Sequence, residues 1–102
     1  MTMQFVIRFD ILPGKTHELD TYLEQEMIPY WTSHNEVRCV ELYEDSFIGW
    51  PERMLVVEVD DLSCLQRILA SPETRQMKEH FTSYATDIQT QIVERVFRGP
   101  SS

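Results

Sequence analysis

The sequence has little of several features that would point to a particular kind of protein. Of its 102 residues, only two are cysteine, three are glycine and three are histidine. No apolar stretch approaches the ~20 residues of a membrane-spanning helix, and the N-terminus lacks the basic start and apolar run of a signal peptide. These absences predict a cytoplasmic protein that does not bind a membrane, in which Cys39 and Cys64 are buried, reduced thiols.

Positive charge is also scarce, since nine basic residues stand against seventeen acidic ones and give a formal net charge of −8. A negative field repels phosphate backbones, so nucleic acid is not expected as a partner. The histidines, His17, His34 and His80, show no ligand spacing, and the sequence contains no phosphate loop or dinucleotide fingerprint. We therefore expect neither a metal nor another cofactor.

The sequence does contain alternating strand and helix patterns within a single domain, 1–102. Large apolar residues at every second position, as in Phe5-Val6-Ile7-Arg8-Phe9-Asp10-Ile11, are typical of a half-buried strand. Valine and leucine are concentrated in a later segment that begins at Arg53, which indicates another strand. Four strands are predicted in this way, at 5–11, 37–43, 53–59 and 89–97.

Two helical segments separate these strands. Apolar residues at three- and four-residue spacing predict a helix over 17–33, which Pro29 should kink or shorten. Asp60-Asp61 is expected to cap a second segment, and Ser71-Pro72-Glu73 is a signal for a fresh helix start within it. The spacing of the following apolar residues predicts that this last helical piece continues as far as Ile88.

The resulting order, β-α-β-β-α-β, is the α+β arrangement of the ferredoxin-like fold, in which a four-stranded antiparallel sheet carries two helices on one face. The other face would present Val6, Met54 and Val56 among charged residues, and a second copy packed sheet to sheet would cover it. Phe47 and Trp50 lie in a loop where polar residues are usual, so they are expected to contact either the partner or their own subunit. The sequence therefore predicts a homodimer.

With this order and length, the whole chain resembles the dimeric α/β barrel superfamily, which includes antibiotic-biosynthesis-type monooxygenases, haem-degrading monooxygenases, and NIPSNAP-like and EthD-like proteins. The resemblance is carried by the strand and turn Phe5–Lys15, followed directly by a helix, and by Met54–Asp61, which leads into a broken helix containing Ser71-Pro72-Glu73. It implies that two ferredoxin-like domains form a dimeric α/β barrel. It also implies a ligand cavity between the helices and the sheet.

The sequence departs from the haem-degrading members of this superfamily. Those proteins use an asparagine on the first strand, a tryptophan at the end of the third and a histidine on the second helix. The corresponding positions here are Ile7, Val59 and Lys78, so the resemblance does not extend to haem degradation.

The function implied by the resemblance is the handling of a small molecule. One hypothesis is a cofactor-independent monooxygenase of the antibiotic-biosynthesis type, acting on an apolar aromatic substrate. The alternatives are a non-catalytic ligand-binding or regulatory homodimer, and an isomerase or lyase of the same fold. Candidate catalytic residues are His34 and His80 for proton transfer and Tyr84 for hydrogen bonding. Candidate substrate-binding residues are Trp31, Tyr22 and Trp50.

Overall fold

The fold is built on a four-stranded antiparallel sheet in the order β2-β3-β1-β4, seen in a computed structural model that describes residues 3–45, 47 and 49–100. Helices cover one face of this sheet, which confirms the predicted ferredoxin-like α+β fold. The strands are β1 (Met3–Ile11), β2 (Val37–Glu44), β3 (Arg53–Val59) and β4 (Ala85–Glu94). The helices are α1 (Thr16–Tyr22), α2 (Ile28–Thr32), α3 (Leu62–Leu69) and α4 (Pro72–Phe81), and a π-helical segment, Leu23–Met27, joins α1 to α2.

The core lies between the helices and the inner face of the sheet. In the strand register Phe5 faces Val57 and Ile7 faces Leu55 across β1 and β3, so the alternating apolar residues point to the same side. Phe9 has no exposed surface and meets the ring of Phe81 edge to face, with the ring centroids 4.9 Å apart. Burying each such side chain contributes about 1.5–3 kcal/mol to stability. The alternation read from the sequence therefore identified the buried face of both central strands.

The first helix continues past Pro29, so the shortening that was one of the two predicted effects of this proline does not occur. Helical structure runs continuously from Thr16 to Thr32, but its middle is widened into a π-helical turn in which the N–H of Ile28 donates to the carbonyl of Leu23, five residues earlier. A proline inside an α-helix clashes with the carbonyl four residues before it. A wider turn just before Pro29 accommodates the ring, since π turns and prolines are common causes of helix distortion.

The start signals of the second helical segment are confirmed. The N–H of Cys64 donates to the Asp61 carboxylate at 2.9 Å, and this backbone hydrogen bond is the main reason why the pKa of Asp61 falls to about 2. Ser71 accepts from the N–H of Thr74 at 3.3 Å, and Pro72 is the first helical residue. Each cap accepts a hydrogen bond from a backbone N–H in the first turn of its helix, where such donors have no partner within the helix.

The predicted end of this segment is wrong. Helix α4 stops at Phe81, and Ala85 already belongs to β4, where it pairs with Ile11. A turn over residues 82–84 separates the two elements, and the N–H of Leu12 donates to the carbonyl of Tyr84 at 2.9 Å. Ile88 therefore reaches the core from a strand, because sheet pairing with β1 overrode the helical spacing of the apolar residues.

The pairing of β1 with β4 contains a bulge. The register shifts between Arg8 and Asp10, and Asp87 on the bulged strand has a positive φ of 50°. Aspartate is one of the few residues that tolerate this left-handed conformation. Beyond the bulge, Thr90 faces Ile7 on the inner side of the sheet. Bulges commonly occur next to sites where a side chain must be redirected.

The outer face of the sheet differs from expectation. Val6 and Val56 are only 5% and 8% exposed within a single chain, so they are already covered by their neighbours. Cys39, expected to be buried, is exposed, because it lies on the edge strand β2 opposite Glu58. The large apolar residues that do remain exposed lie on the edge strands, in the loop and beyond β4: Leu42, Tyr43, Phe47, Trp50, Ile92, Val96 and Phe97, besides Leu62 at the start of α3.

Candidate functional site

A cavity of about 350 Å³ lies between the helical layer and the sheet. Its sheet wall is formed by β1 and β4, and its opposite wall is formed by α4 and the end of the first helix. The volume lies in the range typical of small-molecule sites. The lining residues are Phe5, Ile7, Met27, Trp31, Leu69, Thr74, Arg75, Met77, Lys78, Phe81, Ile88 and Thr90.

Local sequence explains how α4 presents its residues to this cavity. Thr74 and Phe81 are seven residues apart on the inward face of the helix, and both are buried. Arg75 and Lys78 stand on the flank of the same face and are exposed, so their stems border the cavity while their charges reach solvent. The cavity therefore has an apolar interior and a positively charged border.

Trp31 is the predicted binding residue that lines the cavity. It is 1% exposed, and its ring packs against Phe5, with the ring centroids 5.7 Å apart. Its Nε1 is a buried donor for which the described residues provide no acceptor. A buried N–H without a partner costs about 1–3 kcal/mol, so tryptophans in protein interiors usually find an acceptor. Because this nitrogen has almost no accessible surface, it is enclosed by the core and does not face the open space of the cavity.

A second concave region, called here the helix groove, lies between the first helix and α4. It holds about 260 Å³ and is lined by Tyr22, Glu26, Tyr30, Glu73, Gln76, Met77 and His80. Met77 also lines the cavity, so this one side chain borders both spaces. The Nδ1 of His80 lies 3.9 Å from a carboxylate oxygen of Glu26, and both side chains are about half exposed.

Tyr22 is held as a neutral donor beside this groove. Its hydroxyl donates to the carbonyl of Met77 at 2.8 Å, which ties the first helix to α4. Burial, together with the nearby Glu26, raises the pKa of Tyr22 far above its usual range. Tyr22 therefore cannot act as a base near neutral pH, and its single hydroxyl hydrogen is already donated to Met77.

The remaining predicted site residues lie in different places. The rings of His80 and Tyr84 both lie within 6 Å of Tyr22, at 5.3 and 5.5 Å between centroids. The Nδ1–H of His34 donates to the carbonyl of Tyr30 at 2.9 Å, which caps the end of α2. Trp50 is 38% exposed in the β2–β3 loop. The structure thus brings Tyr22, His80 and Tyr84 together, and it separates them from Trp31 in the cavity.

Several cavity residues were not predicted from the sequence as site residues. Arg75 had no motif around it, and Thr90 was assigned to a strand without a role. Two of the three positions used to test for haem degradation, Ile7 and Lys78, do line the cavity. Two positions taken from the family comparison therefore lie on the cavity wall, where this chain has isoleucine and lysine instead.

The described residues include no group of three or more His, Cys, Asp or Glu side chains placed to hold a metal ion. Within the same part of the chain, none of the helices has the length and apolar character needed to cross a membrane.

An antiparallel sheet with helices on one face, and a cavity between the two layers, defines a ferredoxin-like α+β domain with room for a small ligand. No protein-family model matches the sequence, and no curated protein matches it. Solved structures do match over nearly the whole chain. SnoaB, a cofactor-independent oxygenase from Streptomyces nogalater, is 14% identical, with 98% of each chain covered and a TM-score of 0.82.

Two further matches have the same architecture. A protein from Bordetella bronchiseptica, described as a candidate antibiotic biosynthesis monooxygenase, is 16% identical over 94% of this chain and 98% of its own, with a TM-score of 0.75. An EthD family protein from Bacillus halodurans is 14% identical over 94% and 100% of the two chains, with a TM-score of 0.75. The chain therefore has the fold of the antibiotic-biosynthesis-monooxygenase and EthD-like proteins, as the sequence predicted.

Proposed function

We propose that this protein binds a flat, apolar aromatic molecule in the cavity between the helices and the sheet, and oxidises it with molecular oxygen without a metal or flavin. The observation that carries the proposal is the cavity, with its aromatic and aliphatic walls and its few polar lining residues. Apolar walls with a few polar groups are the usual composition of a ligand site. The similarity of fold to a cofactor-independent oxygenase supports the choice of reaction.

The reaction requires a substrate that can itself give electrons to oxygen. An aromatic compound whose acidic CH₂ group is conjugated to a carbonyl through its rings forms an extended enolate, and this anion can transfer electrons to O₂ and then bond to it. One oxygen atom stays on carbon as a new carbonyl, and the other leaves as water with the two hydrogens of the CH₂ group. The protein's part would be to hold the anion, keep water away and position the carbon.

Proton transfer is proposed for His34 and His80, and hydrogen bonding to the substrate is proposed for Tyr84. His80 and Tyr84 border the helix groove or the space beside it, across Met77 from the cavity. His34 stands next to Trp31, with a ring-centroid distance of 6.3 Å. The described cavity lining itself contains no histidine or carboxylate. A substrate whose conjugated CH₂ group is acidic enough to ionise in part without a base on the cavity wall therefore suits this site best.

The proposed reaction can be tested with anthrone, a flat three-ring ketone with an acidic CH₂ group. We expect the purified protein to accelerate its conversion to anthraquinone, with one O₂ consumed for each anthrone. An oxygen electrode and the absorption spectrum of the product measure both quantities, and added chelator should change neither. Binding of anthrone without faster oxygen uptake would instead favour the non-catalytic binding protein.

We also propose that the protein is a homodimer in which the β2–β3 loop contacts the partner subunit. Phe47 is 95% exposed in a single chain, and Trp50 beside it keeps 38% of its surface exposed. Tryptophan and phenylalanine are enriched at protein interfaces.

The double variant Trp50→Ala and Phe47→Ser should therefore weaken dimerisation tenfold or more, since each ~1.4 kcal/mol corresponds to a factor of ten. Sedimentation equilibrium measures the dimer constant. Leu62→Ala, which removes a comparably exposed apolar side chain from the start of α3, is the control and should leave it unchanged. A double variant with the wild-type dimer constant would contradict the proposed role of the loop.

A further inference from the structure

The charged residues that line the described part of the cavity, Arg75 and Lys78, are both cations. They lie three residues apart on α4 and so occupy neighbouring positions on one flank of the helix. Among the residues that the structure describes, neither has a carboxylate within salt-bridge distance. Arg38, Arg53, Arg67 and Arg95 do have such partners.

Helix α4 has titratable side chains on both of its flanks. Arg75 and Lys78 border the cavity, whereas Glu73 and His80 border the helix groove on the opposite flank. Glu79 lies four residues after Arg75 but lines neither space. The described cavity wall contains no acidic residue, although the chain as a whole carries a net charge of −8. Within the described residues, two cations without a salt-bridge partner lie beside an apolar cavity in an acidic protein. They create a local positive potential that attracts anions, since clefts with low-dielectric walls focus the electric field.

We propose that the molecule held in the cavity carries one anionic oxygen group, a carboxylate or phenolate, and that Arg75 and Lys78 bind this group while its rings lie against Trp31. This proposal rests on the proposed binding of an aromatic molecule in the cavity, and it adds the charge and orientation of that molecule. Arginine and lysine both pair well with oxygen anions, and charge-assisted hydrogen bonds are stronger than neutral ones. The ligand would enter rings first, with its charged end at the solvent border.

Two ligands of the same shape separate the charge from the rings. 2-Naphthoate carries a carboxylate, and 2-naphthamide carries a neutral amide on the same two-ring body. Calorimetric titration at neutral pH should show tighter binding of the naphthoate to the wild-type protein. In the double variant Arg75→Gln and Lys78→Gln, naphthoate affinity should fall roughly 25-fold, because the loss of each exposed ion pair lowers the affinity about fivefold. Naphthamide affinity should stay within about twofold, because its rings lose no contact.

The control removes two cations from elsewhere. Lys15→Gln together with Arg98→Gln changes the net charge by the same amount, and neither residue lines the cavity. This variant should bind both ligands as the wild type does. The assignment of Arg75 and Lys78 would be overturned if naphthoate and naphthamide bound the wild type equally. It would also be overturned if both double variants lost the same amount of naphthoate affinity. If neither ligand binds the wild-type protein, the cavity is not an aromatic ligand site, and the proposed function falls with this inference. Added salt should weaken naphthoate binding only.

Discussion

A tryptophan in place of Thr90 is expected to weaken the binding of flat aromatic ligands by about a hundredfold. Thr90 lies on the inner side of β4 opposite Ile7, it lines the cavity, and it is exposed. A large ring at this position would occupy the space between the sheet and α4 that a ligand needs. A two-ring ligand that loses ~120 Å² of apolar contact loses about 3 kcal/mol, which corresponds to a factor of about a hundred in affinity.

The stability of this variant should stay close to that of the wild type. Thr90 is on an edge strand, where tryptophan has a good strand propensity and no core side chain must move aside. Gln66→Trp on α3 adds the same side chain away from the cavity lining and should bind ligands normally, and Thr90→Ser keeps the cavity open. Titration calorimetry with 2-naphthoate compares all three variants. Undiminished affinity of the Thr90→Trp protein would place the ligand somewhere other than this cavity.

Phe9→Ala is expected to lower the free energy of unfolding by about 3–5 kcal/mol. Phe9 is fully buried, it packs edge to face against Phe81, and it lies on β1 where the register of the β1–β4 pairing shifts. The loss includes the transfer of the ring from the core and the void that it leaves behind. A domain of this size has a total stability of about 5–15 kcal/mol, so the variant should lose a third or more of it unless the wild type lies at the upper end of that range.

The matched control for this variant is Phe97→Ala. Phe97 is 80% exposed beyond β4, so the same chemical change there should alter the free energy of unfolding by less than about 0.5 kcal/mol. Urea unfolding followed by circular dichroism measures both variants. A loss of less than about 1 kcal/mol for Phe9→Ala would contradict the arrangement of the core described above.

The sequence predicted the fold where its local and tertiary signals agree. The alternation in Phe5–Ile11 and the valine-rich run Arg53–Val59 mark the two central strands, because one face of each is buried against helices. The cap residues Asp61 and Ser71 mark helix starts, because a helix leaves its first N–H groups without internal partners. Local signals of this kind require no knowledge of distant residues.

The prediction was wrong where distant pairing decides the outcome. Ala85 and Ile88 have helical spacing from Phe81, but they lie in β4, which pairs with β1 more than seventy residues earlier in the chain. The bulge near Asp87 depends on the same pairing and could not be read from spacing. Val6 and Val56 were expected to be bare, yet they are covered by neighbouring side chains whose lengths and directions the pattern does not give.

The candidate site was only partly accessible from the sequence for a related reason. Trp31 was recognised as an aromatic at core spacing, and it does line the cavity. Arg75 and Lys78 look like ordinary surface cations in the sequence, since their relation to the cavity depends on which flank of α4 faces β4. That no acidic partner from the described part of the chain lies within salt-bridge distance of them appears only when the elements are packed.

The most direct test of the ligand site is a crystal structure of the protein with 2-naphthoate bound. The predicted result places the two rings between α4 and the sheet, in contact with Trp31 and Phe5, and places the carboxylate within hydrogen-bonding distance of Arg75 or Lys78. Naphthoate bound in the helix groove beside Tyr22 and His80, with the cavity closed or filled by side chains, would contradict the proposed site.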